Sequence, residues 1–393
     1  MSEFINNREK RQESLLKFSQ GILQGKDGTK LLGKYGEALK YITPHDMIAM
    51  EERQLKMGIT PQQIKDKIEK LMNVVYEQLK KYEWEKPQEG HPLFYLMLEN
   101  RELEKRLATI KTDLKEKRFS KFKRHIADLS GMENHYLRKE NVLFSYLERV
   151  WEHCRPLAVM WSIHDDIRMK LKHLNKILLE KEDFDAEIYN QVGELFFLMY
   201  GMIFKEELVV YPVAMETLDS YHWQKIKAQS AEIGYSFIEP PIKQEKIEKQ
   251  SRIDLTVQDT IFQTETGSLS NLQIEQIFNT LPLDITFIDA NDEVRYFSNS
   301  QDRFFPRSPA IIGRKVQNCH PPESVHIVEK ILTSFKTGEK DEAAFHIRLK
   351  GKFVLIKYHA IRKKDKYLGS LEVSQDITDI KKLKSEKRLL DWE

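Results

Sequence analysis

Five side chains in the middle of the chain are of the types that hold a transition metal: His91, His135, Glu140, His164 and Glu206. Imidazole nitrogens and carboxylate oxygens suit iron, and a helical bundle can supply them from facing helices that project into its centre. A second candidate is Cys319-His320, since thiolate and imidazole are both axial ligands of haem iron. The plainer alternative makes Cys319 a small buried apolar group and His320 the start of a helix. His326, His346 and His359 lie in the same region, and nothing in their spacing singles out an axial position. Catalytic signatures are missing: there is no GxSxG, HExxH, phosphate-cradling glycine loop or kinase signature. The acidic pairs Asp165-Asp166 and Glu206-Glu207 sit in highly charged runs that read as solvated helix faces. The chain is therefore expected not to be an enzyme.

The elements that must position these residues follow from the apolar pattern. Pro87-Gln88-Glu89-Gly90 breaks the chain, and helices are expected over 91–117, 119–151, 156–180 and 186–219. Leu93, Leu96, Met97, Leu103 and Leu107 recur at helical spacing on the first, and Leu195, Phe196, Met199, Ile203 and Val210 on the last. Four long helices with short connections make an up-down bundle. Ahead of it, residues 1–86 read as short helices, with Thr43-Pro44 and Thr60-Pro61 as capping starts and Gln63 closing a capping box. After it, residues 239–269 have the polar composition of a linker. Ser270 with Gln273 then caps a helix leading into the strand-like DITFID (284–289). EVRYFS follows a turn at Ala290-Asn291-Asp292, PPESVHIVEKILTSF is helical, and AAFHIRL, KFVLIKYHAI and YLGSLEVSQDI read as a three-strand meander. Residues 379–393 complete the chain as a short amphipathic helix with Ile380, Leu383 and Leu390 on one side.

Two resemblances give these patterns a family context. HYLRKENVLF and FKEELVVYP resemble the second and fourth helices of the hemerythrin-like family, whose members bind a di-iron pair. Carried over position by position, the resemblance implies His91, His135, His164 and Glu206 as ligands, with Glu140 a fifth candidate. Departures accompany it. Lys139 stands where a carboxylate follows His135, Met202 where a histidine precedes Glu206, Arg168 four residues after His164, and Phe94 at a further histidine position. A degenerate site is expected, with iron as a possible cofactor and haem a less favoured one. The strand order ending in Asp376-Ile377-Thr378, with the run FFPRSPAIIGRKVQNCHPPESVHIVEKIL, resembles the PAS sensory domain. That resemblance implies a small-molecule ligand or partner held against the sheet and a relay through the helix after the last strand. Residues 1–86 resemble an uncharacterised helical domain that precedes hemerythrin-like domains in bacteria.

The expected fold class is an α-helical N-terminal region and a hemerythrin-like up-down four-helix bundle, followed by an α+β PAS domain with a five-stranded antiparallel sheet. Boundaries fall at 87, 239, 270 and 379. Lys and Arg (63) nearly balance Asp and Glu (61) over 393 residues, which argues against a nucleic-acid partner. The two cysteines, Cys154 and Cys319, form no disulfide framework, the longest apolar run is too short for a bilayer, and a cytoplasmic protein is expected. The sequence reading favours a PAS-containing sensory protein responding to a small ligand or to redox, oxygen or nitric oxide state. Its alternatives are an iron protein handling oxygen or nitric oxide, and a ligand-free helical adaptor. A protein partner or homodimer is expected to engage 379–390.

Overall fold

The computed structural model describes residues 2–65, 68–240, 261–300, 303–305, 307–320 and 322–384. The chain divides into two compact units, the first made of Met1–Pro241 and the second beginning at Ile242.

The first unit is helical throughout. Five helices open it: α1 (Ser2–Leu23), α2 (Gly28–Leu39), α3 (Pro44–Lys56), α4 (Pro61–Lys65) and α5 (Ile68–Lys80). The first spans 22 residues, longer than the short helices the sequence pattern suggests. Thr43 and Asp46 form a reciprocal capping box at the start of α3, and Asp46 also takes Arg11 Nε of α1 at 2.6 Å. One carboxylate thus satisfies a helix end and ties two helices together. Thr60 and Gln63 cap α4 as the sequence implies.

The bundle follows. Its first helix is α6 (Pro92–Lys115), with His91 as N-cap. The second runs in pieces: α7 (Phe119–Asp128), a 3-10 turn (Leu129–Met132), α8 (Glu133–Arg138), a π-turn (Lys139–Leu143) and α9 (Phe144–Val150). The third is α10 (Pro156–Glu180). The fourth joins α11 (Ala186–Lys205) through a π-turn (Glu206–Val210) to α12 (Tyr211–Thr217), and α13 (Ser220–Ile233) follows. Both π-turns interrupt segments whose periodicity reads as unbroken helix. Lys205 reaches Glu51 at 2.6 Å and Lys65 reaches Ser162 and Asp166 at 2.8 and 2.6 Å, so one buried and one part-buried ion pair join α3 and α4 to the bundle.

The described part of the second unit begins with a hairpin, β1 (Ile261–Thr264) and β2 (Gly267–Ser270), where the composition reads as linker. Residues 241–260, the rest of that linker, lie outside the described residues. Ser270 and Gln273 box the start of α14 (Asn271–Thr280). A five-stranded antiparallel sheet of order β4-β3-β7-β6-β5 is built from β3 (Asp284–Asp289), β4 (Val294–Phe297), β5 (Glu342–Leu349), β6 (Lys352–Lys363) and β7 (Lys366–Asp376). Phe304, Phe335, Val354, Ile356 and Tyr358 form one core cluster, and Ile288, Val316, Val328 and Leu332 another. Phe335, Val328 and Leu332 come from α15 (Pro322–Thr337), which covers this face. Gly369 has φ +150° and a Cβ there would lie 2.1 Å from the Ile288 carbonyl oxygen, so β3 and β7 can pair at Asp289 only with glycine opposite. Past the sheet, Ile380–Lys382 form a 3-10 turn and Ile380 and Leu383 are exposed. Residues 385–393, with Leu390, are outside the described residues, and so is most of the expected amphipathic helix. No helix among the described residues is long and apolar enough to cross a membrane.

Candidate functional site

Four of the five candidate ligands meet in the bundle interior, in two linked groups. His135, His164, Glu140 and Glu206 are all at most 2% exposed. Glu206 opens the π-turn of the fourth helix. Its Oε2 takes Asn100 Nδ2 at 2.8 Å, the Tyr211 hydroxyl at 2.9 Å and His135 Nε2 at 3.3 Å, and its Oε1 takes the Lys139 ammonium. His135 Nδ1 faces Glu99 Oε2 at 2.7 Å, and Glu99 is held in turn by Arg138 and by the Ser236 amide at 2.6 Å. In the second group His164 Nδ1 meets Glu140 Oε1 at 2.7 Å, and Arg168 forks onto both Glu140 oxygens at 2.9 and 3.1 Å. Tyr136 stacks on His164 at 4.4 Å, and the Lys139 ammonium lies 4.9 Å from the Tyr136 ring centroid.

The π-turn explains how Lys139 and Glu140 are both internal. An i→i+5 turn holds more residues than an α-turn, so two consecutive side chains share the inward face. On an ideal α-helix Glu140 would stand one step round from the face of His135. The fifth candidate, His91, is not part of this cluster. It caps α6, accepting the Leu93 amide at Nδ1 (3.2 Å), and packs 4.5 Å from Trp223.

The electrostatics are those of a closed set. Burial would raise Glu206, but Lys139 and His135 outweigh it and hold the carboxyl far below its usual range. Burial lowers Lys139 against the pull of Glu206. Burial, with Lys139 and Arg168 adding to it, keeps His164 well below the ordinary imidazole value and so neutral. Glu140 is pushed up to about 7 by burial in spite of Arg168. Each of the buried acids Glu99, Glu140 and Glu206 has a basic partner, Arg138, Arg168 and Lys139 in turn, and Arg168 also reaches Glu133 and Asp165.

A di-iron pair does not fit this arrangement. An iron at Glu206 would meet the Lys139 ammonium already seated on that carboxylate, and one at Glu140 would displace a bidentate guanidinium. His164 Nε2 is buried without a partner inside the cluster, and His91 Nε2 likewise at the head of α6. Among the described residues no group of three or more His, Cys, Asp and Glu side chains is placed to hold a metal ion. Met202, where the resemblance calls for a histidine, is core at 2% exposure.

Cys319 and His320 close a turn of their own: Cys319 Sγ faces the Lys315 carbonyl at 3.6 Å and His320 Nδ1 the Val316 carbonyl at 2.9 Å. His346 and His359 lie on the sheet face opposite Phe345 and Tyr358, away from the core cluster that contains Tyr358. The residues that sequence reasoning passed over are Glu99, Asn100, Arg138 and Tyr211. A buried acid one turn from apolar neighbours looks like a solvated charge, and only its partners on other helices reveal it.

Two family models match the chain: the hemerythrin HHE cation binding domain over residues 91–214 and the PAS domain over residues 274–378. Solved structures similar to it include a C-terminal domain from Streptococcus mutans, at 33% identity over 32% of this chain and 98% of that one, TM-score 0.31. The PAS domain of a protein from Colwellia psychrerythraea shows 18% identity over 28% of this chain and 97% of that one, TM-score 0.23. A sensory box sensor histidine kinase from Vibrio cholerae shows 11% identity over 27% and 90%, TM-score 0.22. No curated protein matches.

Proposed function

We propose, for a chain that joins a hemerythrin HHE domain to a PAS domain, a sensory or signalling role in which the PAS sheet receives the stimulus and the bundle acts without iron. The observation that carries this reading is that the buried acids Glu99, Glu140 and Glu206 each already hold a basic partner, Arg138, Arg168 and Lys139. A bundle whose interior acids already have basic partners does not depend on a metal cation to offset them, which leaves the PAS domain as the receiving element. The stimulus is a small ligand or a redox, oxygen or nitric oxide state. The chain does no catalysis of its own. Its output passes to a protein partner or a second copy, with 379–390 as the contact segment, and it works in the cytoplasm, where Cys154 and Cys319 stay as free thiols.

The unpartnered His164 Nε2 inside the cluster favours the other reading, an iron protein handling oxygen or nitric oxide. Metal analysis with an absorption spectrum, on protein purified without oxygen, separates the two. The sensory reading expects iron far below stoichiometric and no iron or haem bands. Stoichiometric iron with ligand-to-metal bands would overturn it.

A further inference from the structure

The inner face of the PAS sheet is polar where a core face is ordinarily apolar. Strand register puts Asp284 opposite Ser374, Thr286 opposite Glu372, and Glu372 opposite Tyr358, so these side chains share one face of three adjacent strands. It is the core face, because Tyr358 belongs to the cluster with Phe304 and Phe335. All five polar partners are at most 6% exposed.

One guanidinium fills the space between the acids. Arg307 Nη1 donates to Asp284 Oδ1 at 2.5 Å and Nη2 to Glu372 Oε1 at 3.1 Å. Asp284 also accepts the Phe304 amide at 3.2 Å, and Tyr358 hydrogen-bonds to Glu372. The set is incomplete in two respects. Two carboxylates face one cation. In addition, Thr286 Oγ1 and Ser374 Oγ are buried with no partner, although each stands opposite one of the acids. Buried hydroxyls without partners mark unmet hydrogen-bonding capacity.

We propose that this face is a binding site for a small cation rich in N–H donors, a guanidinium or primary amine, and that Arg307 is a resident occupant which the ligand displaces. The inference rests on the reading of the PAS domain as the receiving element and names its ligand class. Paired carboxylates select a cation, and a guanidinium reproduces the forked donation Arg307 now makes. Arg307 comes from the connection ahead of the Pro309–Ile311 turn, outside any strand or helix. The desolvation cost of a buried ion pair offsets much of its attraction, so a competing cation needs only a modest advantage.

The test is isothermal titration of the full chain with agmatine, and with n-butylurea as a neutral urea that carries no ammonium. Arg307→Ala should bind agmatine about tenfold or more tighter than the unaltered protein, since the internal competitor is gone. Adding Glu372→Gln should remove that gain, and the neutral compound should bind neither. Arg307→Met serves as a second variant, and for both variants the melting temperature is read with and without agmatine. Folded variants that bind agmatine no better than the parent, or the neutral compound equally well, sink the proposal. So do variants that stay unfolded even with agmatine, because a free guanidinium should then have replaced the missing one. Binding that alters no downstream response leaves the site intact and defeats the sensory reading instead.

Discussion

Lys139 carries the bundle's interior on a single ammonium. Fully buried and seated on Glu206, it is stabilising only while that partner is charged. Lys139→Met should destabilise the chain by about 3–5 kcal/mol, the usual result of leaving one member of a buried pair alone. Adding Glu206→Gln should recover most of the loss, as urea unfolding of the single and double variants would show. His164 and Glu140 form a second pair with opposed proton linkages. Neutral His164 contributes stability above 6.5 that is lost as pH falls, because only the unfolded chain takes the proton. Glu140, raised from 4.5 to about 7, contributes stability at low pH that is lost as pH rises through 7. The two nearly cancel between those values in the parent. The unfolding free energy between pH 4.5 and 6.5 should therefore rise as pH falls in His164→Gln and fall in Glu140→Gln, each by up to about 1.4 kcal/mol per pH unit. At this scale types alone nominated His91, His135, His164, Glu140 and Glu206, and the structure brings the last four together while His91 caps α6. Glu99 and Arg138 were not nominated, because nothing local distinguishes a buried charge whose partner lies dozens of residues away.

Helix and strand boundaries were legible where chemistry punctuates them. Thr60 with Gln63 and Ser270 with Gln273 cap helices as their spacing implies, and the five strands of the PAS sheet fall on the alternating runs. The π-turns were not legible, since a single inserted residue alters apolar periodicity less than ordinary sequence variation does. Two glycines test the elements directly. Gly193 lies within α11 with open space around the position a Cβ would take, so Gly193→Ala should stabilise the first unit by about 0.5–1 kcal/mol. Gly369→Ala would drive a methyl into the β3 backbone at a φ that L residues avoid, and should cost about 3 kcal/mol or more. Differential scanning calorimetry of both variants checks the pair of signs.

For the molecule as a whole, composition and domain order were the most legible features: a helical half, then an antiparallel sheet, with the hemerythrin HHE and PAS matches covering 91–214 and 274–378. The make-up of the bundle interior was only half legible. Lys139, Met202 and Arg168 announced a departure from the ligand pattern, but their types could not say what fills the interior, which depends on how four helices converge. Melting temperature should be unchanged by a strong chelator or by added iron(II), and a shift of several degrees with either would contradict the ion-paired interior.

A four-helix core that brings its own countercharges needs no cargo delivered before it can close. On the iron-free reading proposed above, it would mature on the ribosome's schedule in a cell stripped of transition metals.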